Sequence, residues 1–176
     1  MAATGCGGDT AGGPSSLTPA GKVVRIDGTA TTVALDLQTI GALADNGVRL
    51  GVAKPATARG GIARFPITGG AVSSTTVQGP IVHGGAIVFT KADQQADLTN
   101  LVINTRTGLL TAVLDGKRLS LARVLGSRAP SQPADSSRLS LTGLPLLFTP
   151  QAAAALNETL GTSVFQSLEP LGEATV

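Results

Sequence analysis

Glycine and proline punctuate this chain from end to end, with 23 Gly and 10 Pro in 176 residues. Between them lie short runs rich in Val, Ile, Leu and Thr, which suit half-buried strands better than helices. The spacing predicts strands over Val23–Ile26, Thr29–Leu35, Val48–Val52, Ile62–Ile67, Ala71–Val77, Ile81–Thr90, Leu98–Thr105, Leu109–Leu114, Lys117–Val124, Leu139–Leu147, Val164–Leu168 and Leu171–Val176. Asp115-Gly116 sits between two of these runs. Both residue types tolerate positive φ, so a two-residue hairpin turn is expected there and residues 98–124 read as a meander. Two short helices interrupt the pattern. Asp36 can cap one that carries Ile40, Leu43 and Ala44 on one face and stops at Gly47. Thr149 can cap the other, with Pro150 in its first turn, Ala152–Leu160 as its body and Gly161 as its stop. Lys54–Gly61 and Gly126–Arg138 read as loops. Many short strands with turn signals between them predict a mostly-β fold, an antiparallel β-sandwich with two short helices.

The length fits one domain, large enough to bury a sizeable core. Apolar residues make up 42% of the chain, yet the only large aromatics are four Phe, so the core must be aliphatic. Charged residues are 14%, against the usual ~25%, which leaves little titratable chemistry for a polar active site. The excess of 13 cations over 11 anions is small and no Lys/Arg run tracks a phosphate backbone. With four Phe and neither Trp nor Tyr, the aromatic stacking faces that single strands or sugars would use are nearly absent. Nucleic acid is therefore not an expected partner. One cysteine allows no intramolecular disulfide, and no apolar run reaches the ~18 residues of a membrane span.

Residues 1–21 read as a Gly/Ser/Pro-rich tether, and residues 22–176 as the folded domain. Ala3-Thr4-Gly5-Cys6, with the tether after it, resembles the end of a bacterial lipoprotein signal. Cys6 is thus a candidate lipidation site; the alternative is an incidental cysteine in a tail. The location expected from this is extracellular, on the cell surface or in the envelope, as a secreted protein or lipoprotein.

The single histidine, His83, shares strand parity with Ile81, Ile87 and Phe89, which puts all four on the apolar face if no bulge intervenes. The default role is a core histidine with its ring nitrogens paired; the alternative is a ligand or gate in a pocket. Gly84-Gly85 beside it would permit a bulge or a close approach by another group. No Gly-x-Ser-x-Gly elbow is present and only His83 could act as an imidazole base, so no enzyme activity is expected and no catalytic residue is assigned. One Cys and one His do not make a structural zinc site. Asp93 and Asp97 read as a solvated turn rather than a calcium site. Asn157-Glu158-Thr159 matches the glycosylation pattern by chance, on a helix. Lys54, Arg59 and Arg64 flank one loop and could meet an anionic ligand, although solubilising charges are the default.

Several segments resemble the haem-transport-associated (HtaA-like) domain of cell-surface proteins in high-GC Gram-positive bacteria. They are Phe65-Pro66-Ile67-Thr68-Gly69-Gly70, Gly79-x-Ile81-x-His83-Gly84-Gly85, Leu98-x-x-Leu101-x-Ile103-Asn104-Thr105 and Gly108-x-Leu110-x-Ala112. Leu147-x-Thr149-Pro150, Ala154-Ala155-Leu156-Asn157 and Leu160-Gly161 complete the set. The resemblance implies a β-sandwich that is exported and anchored to the envelope. Some members hold haem through a tyrosine axial ligand supported by a histidine. His83 stands at the position of that histidine, and the tyrosine has no counterpart here. The function expected on these grounds is that of a non-enzymatic binding or structural module with no assigned cofactor; a haem-binding module using His83 is the alternative. The expected partners are an unidentified small molecule or an envelope protein, with the membrane reached only through a lipid on Cys6. An exposed sheet edge could also pair two copies of the chain.

Overall fold

The structure, a computed structural model, describes residues 23–26, 29–73, 76, 78–126 and 141–176. Cys6 and the proposed tether lie outside the described residues, as does most of the loop 126–138. The elements in chain order are β1 (Val23–Arg25), β2 (Ala30–Leu35), α1 (Leu37–Asp45), β3 (Val48–Ala53), β4 (Thr57–Arg59), β5 (Ile62–Ser73) and β6 (Pro80–His83). They continue as β7 (Ala86–Lys91), β8 (Gln94–Asn104), β9 (Leu109–Leu114), β10 (Lys117–Val124), β11 (Leu144–Phe148), α2 (Pro150–Thr159) and β12 (Pro170–Thr175).

All pairings among the described residues are antiparallel, and the two-residue hairpin between β9 and β10 can join only antiparallel strands. The expected sandwich is not what forms. The order β5-β2-β12-β11-β10-β9-β8 runs on through β6, which pairs with β8 on one side and β5 on the other. Eight strands therefore close into a barrel. The two architectures share one in/out alternation, so the pattern of side chains could not separate them. Closure depends on the four residues of β6, which seal β5 to β8. Bulges bend the strands at the required places: Thr68 is the extra residue in β5 opposite β6, Leu121 in β10 and Leu171 in β12. β8 carries its own bulge at Asn100–Leu101, where Asn100 takes a φ of 50°.

The remaining strands hang on the two longest ones. β1 and β4 pair with β5, and the β3–β7 ladder attaches to the first half of β8. Several boundaries differ from expectation. Residues 62–73 form one strand rather than two, and a short strand, β4, lies inside the expected loop. The run 81–90 breaks at Gly84-Gly85 into β6 and β7, which serve different ladders. Residues 164–168 form no strand.

Both helices start where their caps predict. Asp36 accepts from the Thr39 amide at 2.8 Å, and Thr149 accepts from the Ala152 amide at 3.1 Å. In α1 the buried residues are Thr39 and Leu43, while Ile40 is half-buried and Ala44 exposed; the Thr39 hydroxyl turns inward and donates to the Pro170 carbonyl at 2.7 Å. α2 buries Ala152, Ala153 and Leu156 and packs against β8 and β10. Beside it Phe89, Phe148 and Phe165 meet with centroids 5.1–6.4 Å apart, which leaves Phe65 as the fourth ring. Asn157 spends its side chain on both backbone polar groups of Phe165, so it holds the chain after α2 in place. No helix among the described residues is long and apolar enough to cross a membrane.

Candidate functional site

Inward-facing side chains fill most of a small eight-stranded barrel, but here they leave a gap at one end. The cavity lies among Thr31, Val33 and Leu35 of β2, Ala63 and Phe65 of β5, His83 of β6, Leu101 and Ile103 of β8, and Leu110, Leu146 and Leu171 of β9, β11 and β12. Leu50, Gly51 and Val52 of β3, Ala58 of β4 and Ile87 of β7 line its outer part. The reason for the gap is topological. β6 seals β5 to β8 along only part of their length. Beyond it, β5 pairs with β4 and β8 pairs with β7, while β3 and β4 are joined by a turn but by no ladder. Two strand edges, β3 and β4, thus flank an opening into the barrel.

His83 and Thr31 are the only side chains in this lining that carry a hydrogen-bonding group. Both are buried, at 5% and 1% exposure. The Nε2 of His83 is 2.7 Å from the Thr31 hydroxyl, and Nδ1 is 3.4 Å from the Leu101 carbonyl. A carbonyl can only accept, so the proton sits on Nδ1 and the Thr31 hydroxyl donates to the Nε2 lone pair. Leu101 lies in the β8 bulge, where the ladder to β9 is interrupted. Burial lowers the His83 pKa from 6.5 to about 4, and the Leu101 hydrogen bond offsets only part of that shift. The imidazole is neutral at physiological pH.

The glycines beside His83 act as foreseen. A Cβ on Gly84 would lie 3.0 Å from both Pro55 and Thr68 side-chain atoms. One on Gly85, where φ is 95°, would lie 2.5 Å from the Ala56 Cβ. The pair lets the β3–β4 turn press against the end of β6, and so fixes where the opening stands.

This arrangement supports binding better than acid–base chemistry. Thr31 meets an imidazole, but that imidazole is oriented by a carbonyl, not a carboxylate, and its lowered pKa makes it a weak base near neutrality. Among the described residues no three His, Cys, Asp or Glu side chains are grouped as metal ligands. The Asp97 carboxylate is bridged by the Gln95 amide at 2.8 and 3.0 Å. Lys54, Arg59 and Arg64 are exposed and do not line the cavity.

A haem group does not fit these residues as they stand. The space open to the centre of a water-sized sphere is about 40 Å³, enough for roughly three waters at ~10–15 Å³ each. Pockets for drug-sized ligands run to about 300–1,000 Å³. The one nitrogen that could ligate iron already accepts from Thr31. Sequence reasoning found His83 and missed Thr31, whose partner lies 52 positions away and is brought in only by the β2–β5–β6 pairing.

No protein-family model matches the sequence, and no curated protein matches it either. Two solved structures do. The N-terminal domain of HtaA from Corynebacterium glutamicum is similar with a TM-score of 0.49 and 14% identity, over 84% of this chain and 97% of that one. The C-terminal domain of the same protein gives a TM-score of 0.54 and 13% identity, over 84% of this chain and 94% of that one. At such identity the likeness speaks for architecture, and the chain has an HtaA-like fold.

Proposed function

We propose that this protein is a non-enzymatic binding module of the bacterial cell envelope, and that the end of its barrel is the ligand site. One observation carries the reading: an apolar cavity, open between β3 and β4, that reaches a buried and fully paired imidazole. Preformed apolar clefts with one or two oriented polar groups are the usual form of a small-molecule site. The HtaA-like fold and the lipoprotein-like sequence around Cys6 support an exported, surface-held protein.

Xenon tests the cavity without requiring a guess at the ligand, since small apolar voids take it up. Methyl resonances of Val33, Leu101, Ile103 and Leu146 should shift saturably under xenon pressure, and Ala63→Leu should suppress the shifts by filling the space. Unmoved methyls would retire the lumen as a site. The rival occupant, haem, is tested by haemin titration. A stoichiometric Soret shift lost in His83→Ala would replace this reading with a haem module; no shift is expected. Fatty-acyl labelling of the precursor in a bacterial host, lost in Cys6→Ala, checks the anchor.

A further inference from the structure

The chemistry at the opening differs from that of the interior. Between Asp45 and Asp93 the chain carries no acidic residue, yet it holds Arg49, Lys54, Arg59, Arg64 and Lys91. Lys91 donates to the Gly161 carbonyl at 3.1 Å. The other four belong to β3, β4, β5 and the turn between β3 and β4, the elements that frame the opening. Each is close in sequence to a lining residue: Arg49 precedes Leu50, Lys54 follows Val52 by two, Arg59 follows Ala58, and Arg64 lies between Ala63 and Phe65. The strand pleat turns the arginines away from the lining residues beside them, so they add cationic charge to the elements that frame the opening and do not enter the lumen. None of the four makes an ion pair or side-chain hydrogen bond with another described residue.

Inside, nothing is left for a polar ligand to use. The Thr31 hydroxyl and both ring nitrogens of His83 are engaged with one another or with Leu101. The free space is about 40 Å³, too small for a fused ring system and enough for the end of an unbranched chain. An apolar slot framed by elements that carry unpaired cations matches a molecule with an apolar tail and an anionic head.

We propose that the barrel end takes the terminal carbons of a single-chain anionic amphiphile, such as a long-chain carboxylate, with the rest of the chain along the outer part lined by Leu50, Val52, Ala58 and Ile87 and the head group held near the opening by Lys54 and Arg59 and the adjoining Arg49 and Arg64. This rests on the lumen being the binding site. It also requires that the tail, not the head, passes between β3 and β4, because a carboxylate drawn inside would meet no free donor.

Dodecanoate and dodecanol have equal chains and differ at the head, so the pair separates the two parts of the claim. With the full chain, monomeric dodecanoate should bind one-to-one, shift the Leu101 and Leu146 methyls, and exceed dodecanol in affinity by roughly fivefold, the scale of an exposed ion pair. That preference should vanish in Lys54→Gln/Arg59→Gln, while dodecanol affinity is unchanged, and should shrink at high salt. Equal affinities would overturn the head-group assignment. Xenon uptake without binding of either dodecyl compound would overturn the proposal and leave the lumen reading intact; loss of both would remove both. Anionic phosphatidylglycerol vesicles give the remaining arm. Capture by vesicles without uptake of the monomer would overturn the proposal in favour of a membrane surface.

Discussion

At the scale of single residues, the Thr31–His83 pair decides most. Its geometry makes the ring neutral and leaves no ring nitrogen free. Removing the hydroxyl orphans Nε2 in a buried site, which costs about 1–3 kcal/mol. Thr31→Val should therefore lower unfolding stability by that amount in denaturant titration, and His83→Ala should do likewise. The pair also gives stability a pH dependence. The folded pKa is about 4 and the ordinary value is 6.5. Between these values the unfolded chain takes up a proton that the native chain refuses. Stability is thus fully present above about pH 6.5 and falls as pH drops toward 4. At ~1.36 kcal/mol per unit the loss is about 3 kcal/mol. Subtracting the pH profile of His83→Asn from that of the wild type should isolate it; identical profiles would mean the ring is not buried neutral.

At the scale of elements, β6 and the turn beyond it set the barrel's shape. The glycines there are required by contact, not by chain flexibility alone. Gly85→Ala would drive a methyl against the Ala56 backbone nitrogen, 2.7 Å from the ideal Cβ, in a conformation that L side chains rarely adopt. It should cost more than about 1 kcal/mol by thermal melting and perturb amides of both β6 and β4. A Gly116→Ala control, at a similar positive φ of 77° but with nothing within 4 Å, should perturb only its own hairpin. The helices obey simpler rules. Thr149 caps α2 and also donates to the Ser120 carbonyl. Thr149→Ala should therefore lose at least the ~1 kcal/mol of an N-cap, measured by denaturant midpoint, because two contacts go at once.

At the scale of the whole molecule, the barrel is uneven in how well it is closed. Six of its eight joins link the other seven strands in a row, and the remaining two, β5–β6 and β6–β8, both run through the four residues of β6. The extra strands β3 and β4 offer edges at the opening. Amide exchange should be fastest on those two edges and slowest in β9 and β10, where ladders run on both sides. Equal protection across all four would mean that the opening is held shut.

Sequence alone was enough to specify what local chemistry can dictate. Both helix caps follow from a short polar side chain before an apolar-spaced run, and the Asp115-Gly116 turn from two residues that accept positive φ, at 50° and 77°. Alternation told which residues point inward, His83 among them. Only the tertiary structure decided that the strands close into a barrel, that β6 rather than a longer strand seals it, and that Thr31 meets His83. Alternation has a period of two in any sheet and carries no information on which edge meets which. That choice is made by bulges, close glycine contacts and long-range pairing, whose partners lie dozens of residues apart.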